Sequence, residues 1–551
     1  MARELNKKLN VLLSLVFLVF LSLRIFSSSQ YEIIQRSDAG RYLELAKNFP
    51  YHTFHNNQLY ITHPPFYPYV IHFFSYFFED HIAGLLISLS SAVVTFFVIW
   101  KLVILLSGSR YAALVTLLLF SLSSIYINMS TIILKESFSI MLTLLSIYFF
   151  LVFLKKGGNI NVALSAIFGA LLGITTDIVV PLVPAFIAMF IIFGGKKKIW
   201  KTSIPVLATI IFYCIWLSFR IYVYTNFEYY PASHDGTIVR TSDWNLMNLI
   251  STLHFKEVEM WFEPGISLDP LHYIYPVFYL FNLAVAPWPA GLRLSNISVL
   301  FTAKYSFQLV IYSVLSMAVL YCLYKITQSS LSKGIKNNGM LLNFVLFLVF
   351  LIPLTSKFTA TRYILPSAIF LFAMAGSGIV EFSKKYEFFK TFKILLVAII
   401  ASLVLYLPFY YSSHSNFILS KTKIVEASKT AEFLNSLPKD GIMTQTGYTQ
   451  EIDYQTNKRV VALPSNTSYL SYIGLFDINY VLYGEFQRRP FIEGNETGFF
   501  NYDTVKYIRH HPEEFKLLKV IEESYPTLER KDHIYVYEVV RDNISKVSVI
   551  S

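Results

Sequence analysis

The sequence is poor in charged residues and in cysteine. Charged side chains make up 15% of the 551 residues and hydrophobic side chains 54%, a composition that excludes an ordinary soluble domain and a disordered chain. The two cysteines, Cys214 and Cys322, both fall inside long apolar runs. Cysteine packs there as a small apolar residue, so a disulfide scaffold is not predicted.

Several motifs that define soluble enzymes are also missing. The chain has no phosphate-binding loop, no paired Cys/His pattern of a zinc site and no Gly-x-Ser-x-Gly nucleophile motif. It has no convincing internal repeat and no low-complexity tract. P-loop enzymes, zinc-finger proteins and α/β-hydrolases therefore have no support in the sequence.

Long apolar runs dominate the chain instead. Runs of roughly 17 to 25 residues recur through most of its length, and such runs suit a bilayer core of about 30 Å. We predict a polytopic α-helical membrane protein with about eleven transmembrane helices. The predicted spans lie near residues 11–28, 82–106, 111–127, 133–154, 160–178, 179–195, 202–222, 303–325, 340–355, 363–382 and 393–412.

The basic residues predict how these helices are oriented. Much of the net charge of +11 lies in short loops between apolar runs, for example at residues 196–201 and 384–393. This is a positive-inside pattern and not a nucleic-acid-binding surface. It places the N-terminus inside and the C-terminus outside a cell membrane. Residues 1–412 then form the transmembrane domain, with outer loops at 29–80 and 223–302.

The tail, residues 413–551, has a different pattern. An amphipathic stretch stopped by Pro438 and Gly441 predicts a helix, and short β-rich runs such as "INYVLYG" and "HIYVYEVV" predict strands. The stretch "DTVKYIRHHPEEFKLLKVIEES", between these two runs, predicts a second helix. The sequence therefore predicts a small extracytoplasmic α/β domain.

The first outer loop carries a carboxylate close to the membrane. In "RSDAGRYLELAKN", Ser37 is a candidate N-cap of a short interfacial helix, and Asp38, Tyr42 and Leu45 share one face of that helix. Asp38 could simply complement the helix dipole, which contributes about 0.3 to 1 kcal/mol. It could instead be a chemical group, and the spacing alone leaves both interpretations open.

The same loop continues with "YITHPPFYPYVIHFFSYFF". His63 precedes Pro64 and Pro65, whose rings stiffen the start of a second short helix. A single histidine of this kind is more often an interface residue than a catalytic group. The loop as a whole predicts a short helix with a carboxylate, a turn, a His-Pro-Pro element and another short helix.

This order of elements resembles the C-type glycosyltransferase superfamily, especially the protein O-mannosyltransferases and the aminoarabinose transferases that modify lipid A. Those enzymes have a catalytic Asp in the first outer loop and a Lys/His-Pro-Pro-x-Tyr-Pro element, and they take a sugar from a polyprenyl phosphate carrier. Asp38 and residues 63–68 match these elements. Ala39 stands where many relatives carry a second acid, so the resemblance does not imply a paired-acid mechanism.

Two later segments extend the resemblance. "TIILKESFSIMLTLL" is similar to the second outer loop, in which Glu136 takes the acidic position with Lys135 beside it. "SKFTATRYILPSAIF" is similar to the late Arg-Tyr-x-Leu-Pro element, whose Arg362 would hold phosphate oxygens. From the residues alone, Lys135 and Glu136 could be a salt-bridged or snorkelling pair, and Arg362 with Tyr363 an interfacial anchor.

The resemblance implies a membrane glycosyltransferase. Such an enzyme would transfer a sugar from dolichyl or undecaprenyl phosphate to an acceptor hydroxyl on the outer face, with inversion and with Asp38 as general base. Glu136 would be the second catalytic residue. The substrate-binding residues would be His63, Lys135, Arg362, Tyr363 and Tyr42.

The implied partners are the lipid-linked donor, membrane lipids and a protein, lipid or glycan acceptor, without nucleic acid. No metal ligand or resident cofactor is predicted, and a role for a divalent cation stays open. Two other functions compete: a transporter or flippase for a lipid-linked sugar, and an oligosaccharyltransferase or polysaccharide polymerase. A membrane scaffold for the tail domain is a third interpretation, but it leaves Asp38, Glu136 and Arg362 without a common purpose.

Overall fold

The structure is a computed structural model. It describes residues 2–29, 37–49, 64–176, 179–194, 199–226, 303–336, 338–351, 365–385, 427–444, 456, 458, 460–462, 473, 477–484, 507–525 and 530–540. The predicted site residues His63, Arg362 and Tyr363 lie outside the described residues, as do the predicted span at 393–412 and most of the predicted loop at 223–302.

The first part of the chain is helical. In chain order its helices are α1 (Ala2–Ser29), α2 (Ser37–Lys47), α3 (Phe66–Ser75), α4 (Asp80–Ser107), α5 (Arg110–Leu122), α6 (Ser124–Ser130), α7 (Lys135–Lys156), α8 (Asn159–Gly173), α9 (Leu182–Phe193), α10 (Ile199–Asn226), α11 (Ala303–Lys333), α12 (Gly339–Val349) and α13 (Leu365–Lys385). Each predicted span that falls on described residues overlaps one of these helices, except that the span near 111–127 is divided between α5 and α6.

Five of the described helices contain stretches long and apolar enough to cross a membrane. These stretches are Leu9–Ser28, Asp80–Ser107, Lys135–Lys156, Ile199–Phe219 and Leu365–Ser383. Four further apolar helices, α5, α8, α9 and α12, have 10 to 17 residues. The helical membrane protein predicted from the sequence is thus supported, while the number of eleven spans stays a prediction.

One predicted span is interrupted. The apolar pattern predicted a single helix near 111–127, but α5 ends at Leu122 and α6 begins at Ser124. Ser123 between them has an extended backbone, with φ −66° and ψ 117°. A hydrophobic pattern does not reveal this break because apolar residues continue on both sides of it.

Helix α13 lies at the centre of the helical bundle. Almost every described side chain from Leu365 to Val380 is buried, and two glycines let neighbouring helices approach closely. A Cβ at Gly376 would lie 2.7 Å from the carbonyl oxygen of Ala112 in α5, and one at Gly378 would lie 1.9 Å from that of Ala318 in α11. Any larger residue at these two positions would push the helices apart.

The chain divides into two compact units. The first comprises Met1–Ser28, Leu85–Phe219 and Asn245–Ser413, and the second comprises Ser29–Gly84, Arg220–Trp244 and His414–Ser551. The predicted domain boundary after residue 412 stays a prediction, since the residues around it lie outside the described part of the chain.

The tail forms an α/β structure in the second unit. Helix α14 (Ala427–Ser436) is followed by β1 (Ile442–Thr444), β2 (Val460–Ala462), β3 (Tyr480–Gly484), β4 (Phe515–Tyr525) and β5 (Arg530–Val539). The sheet order is β2-β1-β3-β5-β4. β1 pairs in parallel with β2 and β3, and β5 pairs antiparallel with β3 and β4.

Both faces of this sheet are apolar, and a lysine closes one end of α14. Val481 and Phe515 belong to one buried cluster, and Leu434 of α14 packs with Leu482 in the other. The buried Lys458 donates from Nζ to the carbonyl oxygens of Leu437 and Lys439, at 2.7 Å each. A cation at the C-terminal end of a helix stabilises carbonyls that lack intrahelical partners.

The second helix predicted in the tail is wrong for most of its length. Of its described residues, 507–510 are helical, and from Phe515 to Tyr525 the chain is the edge strand β4. Pro512 interrupts the helical pattern, and the following residues hydrogen-bond to β5, with an irregularity between Leu517 and Lys519. Pairing with a distant strand overrides the local helical spacing of these residues.

Candidate functional site

A buried arginine joins the C-terminal end of α1 to the C-terminal end of α5. The Arg24 side chain is 1% exposed, and its Nη1 donates to the carbonyl oxygens of Phe20 and Ser121, at 3.3 Å each. Its guanidinium carbon lies 3.8 Å from the Phe20 ring centroid and 5.3 Å from that of Phe120. Because α5 ends at Leu122, its last carbonyls lack intrahelical donors, and Arg24 supplies one together with positive charge.

A second contact ties the same end of α1 to the far side of the helix break. The hydroxyls of Ser27 and Thr131 lie 3.2 Å apart, and both residues are buried. The Thr131 hydroxyl also donates to the carbonyl oxygen of Ile127, at 2.9 Å. Helix α1 therefore contacts the C-terminal end of α5 and the residue that follows α6.

The predicted pair Lys135 and Glu136 opens α7 and is buried. Lys135 is 7% exposed and Glu136 is 5% exposed, so Lys135 does not snorkel away from the protein. The next residue, Ser137, donates from its hydroxyl to the carbonyl oxygen of Ser88 in α4, at 2.9 Å. Glu136 lies in the first turn of α7, at the positive end of the helix dipole.

Tyr126 connects α6 to the start of α13. Its hydroxyl donates to the carbonyl oxygen of Leu365, and its ring lies 4.7 Å from that of Phe120 and 6.5 Å from that of Phe372. Leu365 is the first residue of α13 and comes three positions after Arg362 in the sequence. The ends of α1, α5 and α6 and the start of α13 are thus linked by polar side chains within the first unit, and the start of α7 is linked to α4.

We expect Tyr126→Phe to destabilise the protein measurably, because it removes this link without changing the shape of the ring. A hydrogen bond of this kind contributes about 0.5 to 1.5 kcal/mol to stability. Tyr321→Phe in α11 is the matched control, since the buried Tyr321 hydroxyl has no hydrogen-bond partner among the described residues. Equal unfolding temperatures of the two variants in the same detergent would contradict this role.

The carboxylate predicted as general base belongs to a helical pair in the second unit. Helix α2 begins at Ser37, so Asp38 lies in its first turn. Tyr42 is 1% exposed and packs edge-on against Tyr67 of α3, with ring centroids 5.0 Å apart. This buried contact gives Tyr42 a structural role in packing α2 against α3. Substrate binding by Tyr42 stays a prediction.

The two short helices predicted in the first outer loop are both present and packed together. Pro65 immediately precedes α3, as the prolines predicted. His72 Nδ1 lies 2.8 Å from the carbonyl oxygen of Ala46, and the rings of His72 and Phe49 stack at 4.5 Å. Phe49 also packs edge-on against Tyr69 at 4.9 Å, and burial raises the pKa of the Tyr69 hydroxyl, which therefore stays neutral near pH 7.

Two residues of this region, Arg24 and Tyr126, were not predicted from the sequence. The sequence does contain a signal for Arg24, because it is a charged residue within the first apolar run, where a charge is costly unless it is paired. The sequence contains no signal for Tyr126, since its hydrogen-bond partner lies 239 positions away. Within the described residues, no group of three or more His, Cys, Asp or Glu side chains is placed to hold a metal ion.

A helical membrane unit combined with a small α/β unit is the architecture of C-type membrane glycosyltransferases, and the chain shares this fold with solved members. It aligns with ArnT from Cupriavidus metallidurans bound to undecaprenyl phosphate at a TM-score of 0.56 and 10% identity, over 96% of this chain and 98% of that one. The apo state of the same protein gives a TM-score of 0.55 at 10% identity, over 98% and 99% of the chains.

A more distant alignment and a family match complete the comparison. The archaeal oligosaccharyltransferase AglB from Archaeoglobus fulgidus, in complex with an inhibitory peptide and a dolichol-phosphate, aligns at a TM-score of 0.51 and 12% identity, over 86% of this chain and 69% of that one. Residues 62–222 match the family described as dolichyl-phosphate-mannose-protein mannosyltransferase. No curated protein gives a significant sequence match. The predicted resemblance to the C-type glycosyltransferase superfamily is confirmed.

Proposed function

We propose that the protein transfers a sugar from a dolichyl or undecaprenyl phosphate carrier to an acceptor hydroxyl. The observation that carries this proposal is the family match over residues 62–222, a segment that includes α3 and the buried Lys135 and Glu136. The fold adds support, because the two aligned proteins were solved with undecaprenyl phosphate and with a dolichol-phosphate.

In the proposed reaction Asp38 is the general base. It takes the proton of the acceptor hydroxyl as the hydroxyl oxygen forms its bond to the anomeric carbon of the sugar. The bond from the anomeric carbon to the phosphate oxygen breaks on the opposite face, and polyprenyl phosphate leaves. This single displacement inverts the anomeric centre, and it needs no protein acid because the phosphate is already a good leaving group.

Cationic side chains stabilise the leaving phosphate in this proposal. Lys135, Arg362 and His63 would offset the charge that develops on the phosphate oxygens. Glu136 would orient the acceptor or one of these basic groups, and Tyr42 and Tyr363 would complete the substrate site. The dense packing around Lys135 supports such a role, since a buried ammonium interacts strongly with an anion in its neighbourhood.

The proposed topology follows from the basic loops. About eleven spans with the N-terminus in the cytoplasm would place Asp38 and the tail domain outside the cell membrane. An enzyme so oriented meets the head group of its lipid-linked donor at the outer leaflet. Which sugar is transferred, and whether the acceptor is a protein, a lipid or a glycan, is determined by measuring which donor and acceptor the purified enzyme consumes.

Release of polyprenyl phosphate from a panel of donors tests the proposal. We expect the purified full-length protein to consume at least one dolichyl or undecaprenyl phosphate sugar, and to form a glycosylated acceptor in equal amount. A parallel reaction with a chelator decides whether a divalent cation is required. Consumption of only lipid-linked oligosaccharides would indicate an oligosaccharyltransferase. Movement of intact donor across vesicle membranes without any release would contradict the proposal and favour a transporter.

A further inference from the structure

Five aromatic side chains of the second unit are exposed in one short stretch of the chain. They lie at the C-terminal end of α3 and in the turn before α4, and we refer to them as the aromatic shelf. The exposed fractions of Phe73, Phe74, Tyr76, Phe77 and Phe78 are 60%, 38%, 71%, 71% and 46%. Large aromatic surface exposed in one continuous stretch marks an interaction site.

The position of the shelf favours a lipid surface as its partner. Glu79 and Asp80 follow it directly, and Asp80 begins α4, whose residues are long and apolar enough to cross a membrane. Ile82, one turn into α4, is 40% exposed and continues the apolar surface. Aromatic residues are enriched at the boundary between head groups and acyl chains.

Side-chain contacts connect the shelf to the helix that carries Asp38. His72 Nε2 lies 3.0 Å from the Tyr76 hydroxyl, and His72 Nδ1 lies 2.8 Å from the carbonyl oxygen of Ala46 in α2. A carbonyl oxygen can only accept, so Nδ1 donates to Ala46, and Nε2 is within hydrogen-bond distance of the Tyr76 hydroxyl. Together with the Tyr42–Tyr67 contact, this packs α2 and α3 into one body.

We propose that the aromatic shelf inserts into the boundary layer of the bilayer and thereby sets the depth of α2 relative to the membrane surface. Lipid binding by the shelf stands independently of the proposed function. The effect on catalysis rests on that function, because only there must Asp38 meet a donor whose phosphate lies at head-group depth. A displaced α2 would hold the base away from the anomeric carbon.

A spin label at Phe77 measures the depth directly. In full-length protein with Cys214→Ser, we expect a label at Phe77→Cys in lipid vesicles to be more accessible to oxygen than to a water-soluble nickel complex. Leu517→Cys on the edge strand β4 is the matched control, since it is 46% exposed and apolar, and its label should be accessible to the nickel complex. Water-like accessibility at Phe77, or protection from both reagents as in a protein contact, would overturn the proposal.

The effect on catalysis is tested with Phe77→Ser/Phe78→Ser. With a vesicle-bound polyprenyl phosphate sugar we expect KM to rise by about tenfold or more, because α2 loses its anchorage. With a short-chain, water-soluble donor analogue, turnover should stay near wild type. Equal losses of activity with the two donors would contradict the proposed role of the shelf in setting the depth of α2. If the wild type consumes no donor, the proposed function fails, while the spin-label result still decides lipid binding.

Discussion

Asp38→Asn is expected to lower the rate of sugar transfer by about 10²- to 10⁴-fold, the usual contribution of a general base. The amide keeps the size of the carboxylate but cannot accept the acceptor's proton at neutral pH. Binding of polyprenyl phosphate should persist, because the base acts on the acceptor and not on the phosphate. Single-turnover release of the carrier from its sugar, together with a separate binding measurement, distinguishes these two effects.

Asp80→Asn provides the control for this substitution. Asp80 is also an acidic residue in the first turn of a helix, and it lies in the second unit, but it has no place in the proposed mechanism. The turnover of the Asp80→Asn variant should remain close to that of the wild type. Unchanged turnover in Asp38→Asn would remove Asp38 from the mechanism and make Glu136→Gln the next variant to measure. The dependence of the rate on pH adds a readout, since a general base loses activity as it becomes protonated.

The second large effect is expected at Arg24. Arg24→Met keeps the length of the side chain but removes the donor to the Ser121 carbonyl and the cation above the Phe20 ring. An unsatisfied buried carbonyl costs about 1 to 3 kcal/mol and a desolvated cation–π contact contributes about 2 kcal/mol. A loss of about 3 kcal/mol in the free energy of unfolding is therefore expected, measured by denaturation in detergent.

Two comparisons test the reason for this loss. Arg24→Lys keeps the charge but loses the planar group that stacks on Phe20, so its stability should lie between those of the wild type and Arg24→Met. Arg110→Met, an exposed arginine at the other end of α5, should change stability by less than about 0.5 kcal/mol. A fully stable Arg24→Met would mean that burying the guanidinium costs as much as its contacts contribute.

The sequence by itself determined the class of this protein and the order of its elements. Apolar runs of membrane length located α1, α4, α5 and the helices from α7 to α13, because each run must match the thickness of the bilayer. Proline, glycine and serine located the short helices α2, α3 and α14, because these residues act on the backbone next to them. The motif order that resembles the C-type glycosyltransferases is likewise a property of the chain alone.

Only the tertiary structure decided which residues meet. The sequence of β4 has the residue spacing of a helix, and its pairing with β5 makes it a strand. The break at Ser123 is stable because Arg24, 97 positions from Ser121, supplies the missing donor. Tyr126 gains its role from Leu365, and Lys135 and Glu136 are buried only because other helices pack around them. The spacing of apolar and polar residues reflects the preference of one segment by itself. These contacts depend instead on segments that are far apart in the sequence.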